Sequence, residues 1–239
     1  MLLTLDNFRK RIEYSLCQQF ASDNDVRDFC NRAKALGVGV ACLNPVNVSL
    51  AAQLLKNTGV EVSCNVGFPF GSHYTEVKVM ETKRGIDDGA TQIDMVINVG
   101  ALRSKKDALV LEDIRAVVEA AGGKPVKAII ETWVLNREEK ERACRLARQG
   151  GASLVKTTTG VQTQYLYMIN KNPVGAVVGD IILMRKVLGP NVKIKASGGI
   201  YTLDYALELI KNGADQLGVS KGEELIREFQ RKYGESMEI

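Results

Sequence analysis

Two short runs toward the C-terminal end carry residues able to do covalent chemistry: Val155-Lys156-Thr157-Thr158-Thr159-Gly160 and Ile194-Lys195-Ala196-Ser197-Gly198-Gly199-Ile200. Each places a lysine in a strand-like apolar setting, where a charged amine is rarely buried without a partner or a task. On successive strands of one sheet, the two ammonium groups would share a pocket. Burial and like charge both disfavour the protonated form, and an amine freed of its proton attacks carbonyl carbon. Alternation along a strand puts Lys156 on the face of Thr158, and Lys195 on that of Ser197. The competing reading has each lysine capping its strand and snorkelling to water. The pairing of the two, each followed by a glycine turn, favours the chemical reading. Asp94 lies inside another apolar run, on the face of Val96 and Asn98. It would sit beneath the lysines, where their charge compensates its burial. The alternative for Asp94 is a buried ion pair with no part in chemistry.

Elements must bring these groups together. The 239 residues suffice for one large domain or two small ones, and 45% hydrophobic with 25% charged residues is an ordinary globular balance. A net charge of +4 and the lack of basic runs interleaved with aromatics argue against a nucleic-acid partner. No apolar run is long enough to span a membrane. The N-terminus turns basic after a few apolar residues, the wrong order for a secretory signal. Five cysteines, an odd number with no CxxC pair, argue against a disulfide framework or a zinc site and fit a reduced, cytoplasmic protein. Cys42 and Cys64 fall in apolar runs and read as small core hydrophobes. His73, the only histidine, reads as a cap or surface group.

Strand-like runs are expected at 12–16, 38–43, 60–66, 92–99, 126–132, 153–159, 193–197 and 216–220. Helical spacing connects them at 26–37, 49–56, 74–89, 104–121, 136–149, within 173–188, at 203–212, and closes the chain at 223–233, with 163–172 less regular. Strand and helix alternate with short connections, which predicts a parallel sheet with crossover helices. Eight repeats in this length match an α/β (β/α)8 barrel, a TIM barrel, forming one domain over 1–239. An open doubly wound sheet is the alternative, and the lack of GxGxxG after the first strand weakens it. Chemistry in such a barrel gathers at the C-terminal strand ends. Asn44, Asn98, Glu131, Lys156, Lys195 and Ser220 would arrive there.

Longer motifs now resemble the 2-deoxyribose-5-phosphate aldolase family of class I, Schiff-base aldolases. Beyond the two lysine runs they are Ala41-Cys42-Leu43-Asn44-Pro45, Val66-Gly67-Phe68-Pro69-Phe70-Gly71, Glu81-Thr82-Lys83 before Gly89-Ala90, Ile93-Asp94-Met95-Val96-Ile97-Asn98-Val99-Gly100, and Ile129-Ile130-Glu131-Thr132. Their order and spacing, over most of the chain, carry the resemblance. It implies that Lys156 forms the Schiff base, that Lys195 keeps that amine reactive, and that Asp94 serves a proton relay. It implies a sugar phosphate and aldehydes as partners, no metal or cofactor, and a homo-oligomer.

Three positions depart from the family pattern. An opening Asp-His-Thr-Leu-Leu-Lys-Pro-like strand becomes Glu13-Tyr14-Ser15-Leu16-Cys17-Gln18-Gln19, Tyr201 stands where arginine is usual, and Ser220-Lys221 replaces a pair of small hydroxyl residues. Gly198 and Gly199 can still offer backbone N–H groups to a phosphate, with Thr159 and Ser220 adding hydrogen bonds and Lys221 supplying the cation. The alternatives are a Schiff-base aldolase with another acceptor aldehyde, a sugar-phosphate isomerase barrel, which would leave Lys156 unexplained, and a noncatalytic sugar-phosphate-binding barrel. Asp94 is expected closer to Lys195 than to Lys156.

Overall fold

The computed structural model describes residues 2–161 and 175–239. A closed barrel is formed by β2 (Ile12–Leu16), β3 (Val40–Leu43), β4 (Glu61–Val66), β5 (Gln92–Val96), β6 (Val126–Ile129), β7 (Leu154–Lys156), β8 (Lys193–Ser197) and β9 (Gln216–Val219). Each strand pairs in parallel with the next, and β9 returns to β2 through Glu13↔Gly218. The expected (β/α)8 barrel is therefore the fold. Its strands are buried almost throughout, as parallel strands covered on both faces must be.

Local chemistry sets the connecting helices. Ser22 and Asp25 form a reciprocal capping box at the start of α2 (Asp23–Leu36), and Gly37 ends that helix with φ 64°. After α3 (Val48–Leu55) and α4 (Thr75–Asp87), the expected helix over 104–121 is present as a single helix, and a short helix that was not expected precedes it, where the strand over 92–99 was expected to end. Asn98 stops β5 early because its side chain accepts a hydrogen bond from Ala101 N at 2.9 Å and caps α5 (Val99–Arg103). Lys105 then turns the chain with φ 57° before α6 (Asp107–Ala120). Asn136 and Glu139 box the start of α7 (Arg137–Gln149). Next come α8 (Val178–Leu188), α9 (Leu203–Lys211), which Thr202 caps, and α10 (Gly222–Tyr233). The expectations for 163–172 and for a helix start at 173 lie outside the described residues.

Elements at both ends of the chain were also not anticipated. Leu2–Thr4 (β1) and Ser236–Glu238 (β10) pair antiparallel, with Leu2 opposite Glu238, and α1 (Leu5–Arg11) links β1 to the barrel. Phe8 of α1 stacks on Phe229 of α10 with ring centroids 4.8 Å apart, fastening this layer to the helical ring.

Candidate active site

Inside the barrel, toward the C-terminal strand ends, three lysines and two carboxylates form one buried cluster. Asp94 and Lys127 are register partners on β5 and β6, and Lys156 and Lys195 are partners on β7 and β8. Asp94 Oδ2 accepts from Lys156 Nζ at 2.8 Å and from Lys195 Nζ at 2.7 Å. Its Oδ1 lies 2.7 Å from Lys127 Nζ and accepts from Ser63 Oγ at 2.8 Å. Glu13 Oε2 accepts from Lys127 Nζ at 2.6 Å, and its Oε1 from Lys195. Gly218 makes room for this packing, since a Cβ there would lie 2.9 Å from Lys195 Cε and 2.6 Å from Ser197 Oγ.

The expectation that Asp94 sits closer to Lys195 is corrected by this geometry: one oxygen is shared almost equally. What separates the lysines is Glu13, which bonds Lys195 and Lys127 while no bond joins it to Lys156. Burial opposes every charge in the cluster. For Asp94 the three lysines outweigh it and hold the carboxyl well below the usual carboxylate range. For Glu13, burial and the charge of Asp94 are outweighed by Lys127, Lys195 and Lys156, and its pKa too is lowered. For Lys195, burial is outweighed by Asp94 and Glu13, which hold the ammonium above its ordinary range. Two carboxylates balance two ammonium groups. Lys156 is the amine left to share a counter-charge with both neighbours.

Lys156 and Lys195 line a cavity of about 710 Å³ at the mouth of the barrel, a size suited to a small metabolite. Phe68 covers one side, its ring centre 6.0 Å from Lys156 Nζ. Thr159, Gly198, Gly199 and Ser220 also line it, so the structure brings these sequence-derived candidates to the same opening. Gly198 and Gly199 turn the chain with φ 88° and 70°. Lys221 is exposed at the rim, its Nζ 5.5 Å from the ring centre of Tyr201, which itself lines the cavity. Glu131, with φ 56°, accepts from Thr159 N at 3.2 Å and from Trp133 Nε1 at 2.6 Å, tying the loops after β6 and β7 together. Burial raises the pKa of its carboxyl. Asn44 lines the cavity, whereas Asn98 spends its side chain on capping α5.

Sequence reasoning missed Lys127. Its signal was the one that exposed the other two lysines, a cation inside the apolar run Val126-Lys127-Ala128-Ile129. Glu13, Cys42 and Asp94 bring potential ligand atoms within 4.8 Å of one another. The carboxylates are already engaged by ammonium groups, whose charge opposes a metal cation there.

Barrel, buried amines and open mouth together define an enzyme of the carbonyl-processing (β/α)8 class. The chain belongs to the DeoC/LacD family of aldolases, whose model matches residues 8–225. It is 44% identical to the deoxyribose-phosphate aldolase of Geobacillus sp. strain WCH70 over 92% of this chain and 95% of that one. It is also 44% identical to the Bacillus subtilis deoxyribose-phosphate aldolase, over 90% of this chain and 93% of that one. Among solved structures, the tetrameric deoxyribose phosphate aldolase of Aeropyrum pernix superposes with a TM-score of 0.84 at 27% identity, covering 95% of this chain and 92% of that one.

Proposed function

We propose that this chain is a class I aldolase that reversibly cleaves 2-deoxy-D-ribose 5-phosphate to acetaldehyde and D-glyceraldehyde 3-phosphate, with Lys156 as the Schiff-base lysine. The observation that carries the assignment is the division of labour in the cluster. Lys195 and Lys127 are each held by both carboxylates, whereas Lys156 shares only Asp94 and opens to the cavity. In this reading the Lys156 amine attacks C1 of the open-chain sugar and water leaves. The iminium then draws in the electron pair of the C2–C3 bond as the C3 hydroxyl gives up its proton. Glyceraldehyde 3-phosphate departs, the enamine takes a proton at C2, and hydrolysis frees acetaldehyde and the amine. Asp94, held as a carboxylate, enters any relay as a proton acceptor before it returns the proton. Lys195 carries the positive charge beside the reacting nitrogen.

Phosphate would lie against Gly198, Gly199 and Ser220, with Lys221 supplying the cation from the rim. Lys221→Ala then raises KM roughly tenfold or more for the phosphorylated sugar, the scale of a lost hydrogen bond to a charged group. Unphosphorylated deoxyribose is little affected. Equal changes for the two substrates place the phosphate elsewhere. Assembly into a homo-oligomer belongs to the same reading and is supported by the tetrameric Aeropyrum pernix relative. A cytoplasmic setting also belongs to it; no helix among the described residues is long and apolar enough to cross a membrane.

Borohydride reduction in the presence of deoxyribose 5-phosphate tests the assignment. Mass spectrometry should find the reduced adduct on the peptide holding Lys156, and Lys156→Ala should fold while losing both adduct and cleavage. An adduct on Lys195 or Lys127 would reassign the nucleophile. A lack of any adduct would remove the Schiff-base reading.

A further inference from the structure

Beside the lysine cluster the same cavity holds two thiols that the aldol reaction does not use. Cys17 follows the last residue of β2, and Cys42 lies on the neighbouring β3. Register pairs Ser15 with Cys42 and Leu16 with Leu43, so Cys17 lies just beyond the end of the ladder, on the face of Ser15. Both cysteines line the cavity. They grip one side chain: Asn65 Nδ2 donates to Cys17 Sγ at 3.2 Å, and Cys42 Sγ donates to Asn65 Oδ1 at 3.4 Å. Cys17 Sγ also reaches the carbonyl oxygen of Cys42 at 4.0 Å.

We propose that Cys17 and Cys42 form a peroxide-sensitive thiol pair that closes to a disulfide and shuts the aldolase site. Cys17 is the attacking sulfur. It is half-buried, opens to the cavity, and lies in the field of two cations. The adjoining Cys42 thiol holds the Cys17 thiol below the ordinary range, with Lys156, Asn65 and Lys195 adding to that effect against burial. Cys42 is the resolving sulfur. The adjoining Cys17, burial, and the charges of Asp94 and Glu13 keep it protonated.

The chemistry balances. The Cys17 thiolate displaces hydroxide from hydrogen peroxide and becomes a sulfenic acid. The Cys42 sulfur then attacks that sulfur, its proton leaves with the displaced hydroxide as water, and the S–S bond forms. Two thiols have lost two electrons to one peroxide, and an external dithiol reverses the step. Cys17 stands outside the strand, before the exposed Gln18 and Gln19, so it can make the short approach that an S–S bond requires. The bond withdraws both sulfurs from Asn65. Asn65 is the register partner of Asp94, so its release disturbs the wall that holds the shared carboxylate.

The disulfide depends on no reading of the reaction, whereas its effect on turnover rests on the proposed aldol cleavage. The two are therefore read separately. Wild type, Cys17→Ser and Cys42→Ser are each treated with hydrogen peroxide and mapped by non-reducing peptide mass spectrometry, and cleavage is compared with each variant's own untreated rate. In wild type, a linked Cys17–Cys42 peptide should form while kcat/KM falls at least tenfold, and dithiothreitol should reverse both. Cys42→Ser should stop at a sulfenic acid on Cys17 that dimedone captures. Cys17→Ser should give no linked peptide and keep its own rate under the same dose. Failure of the linked peptide to form would overturn the proposal, as would its formation with an unchanged rate or an equal loss in Cys17→Ser. If untreated protein cleaves no sugar at all, the aldolase reading fails while the peptide map still decides the thiol pair.

Discussion

Each amine of the cluster is defined by the carboxylates it touches. Lys195→Leu removes the positive charge beside the reacting nitrogen and leaves Asp94 and Glu13 short of a buried cation, so kcat should fall at least tenfold in protein whose circular dichroism is unchanged. A normal kcat would show that the charge of Lys195 has no part in the reaction. Lys127 does not line the cavity, yet it satisfies Glu13 Oε2 and lies against Asp94 Oδ1. Lys127→Met strips both oxygens of a buried cation and should cost about 3 kcal/mol or more, read from the urea midpoint. The exposed Lys221→Ala should leave stability within about 0.5 kcal/mol. Lys156, Lys195 and Asp94 were legible in the sequence because a charge inside an apolar strand needs a partner. Lys127 carried the same signal without a glycine turn to draw attention to it. The reach of Glu13 across the barrel to β6 and β8 follows only from closure, which brings β2 round beside β9.

At the scale of elements, the short register of β8 and β9 positions the amines, and Gly218 is where that register is tightest. Gly218→Ala would push its methyl group against Ser197 Oγ and Lys195 Cε. The flexible lysine head yields first, so kcat should fall at least tenfold while the melting temperature moves little. A normal kcat would show that Lys195 tolerates displacement. The alternation of strands and helices was legible because each element has its own period and stop signals. Ser22, Asn136 and Thr202 are such signals, and each caps the helix that follows it. The short helix α5 was not, because it depends on Asn98 turning from strand residue to cap and on Lys105 adopting a left-handed conformation that lysine seldom takes. The termini misled for another reason. Strands of three residues have too short a pattern to read, and β1 and β10 exist only because each finds the other.

Across the whole molecule, the cluster couples stability to pH. Asp94 and Glu13 have folded-state pKa values below their unfolded ones, so their contribution is present above about pH 4 and is lost as pH falls through the folded values. Lys195 has a raised folded value, and its contribution is lost only as pH climbs through it in strong alkali. The denaturation midpoint should therefore hold steady near neutrality and fall on acidification. Asp94→Asn, if it folds, should show a shallower acid limb; an identical limb would assign the acid sensitivity to other groups. The pairing of β1 with β10 has a different consequence. With Leu2 opposite Glu238, residues 2 and 238 lie side by side, and a covalent link between them would make a ring of the residues they bound. A few glycines and serines could supply that bond, and the ring could be cut at the exposed turn Gly122-Gly123, where neither residue has an atom near its missing Cβ. Such a circular permutant, beginning at Lys124, should fold to the same barrel, because the order in which the strands are synthesised is not what closes it.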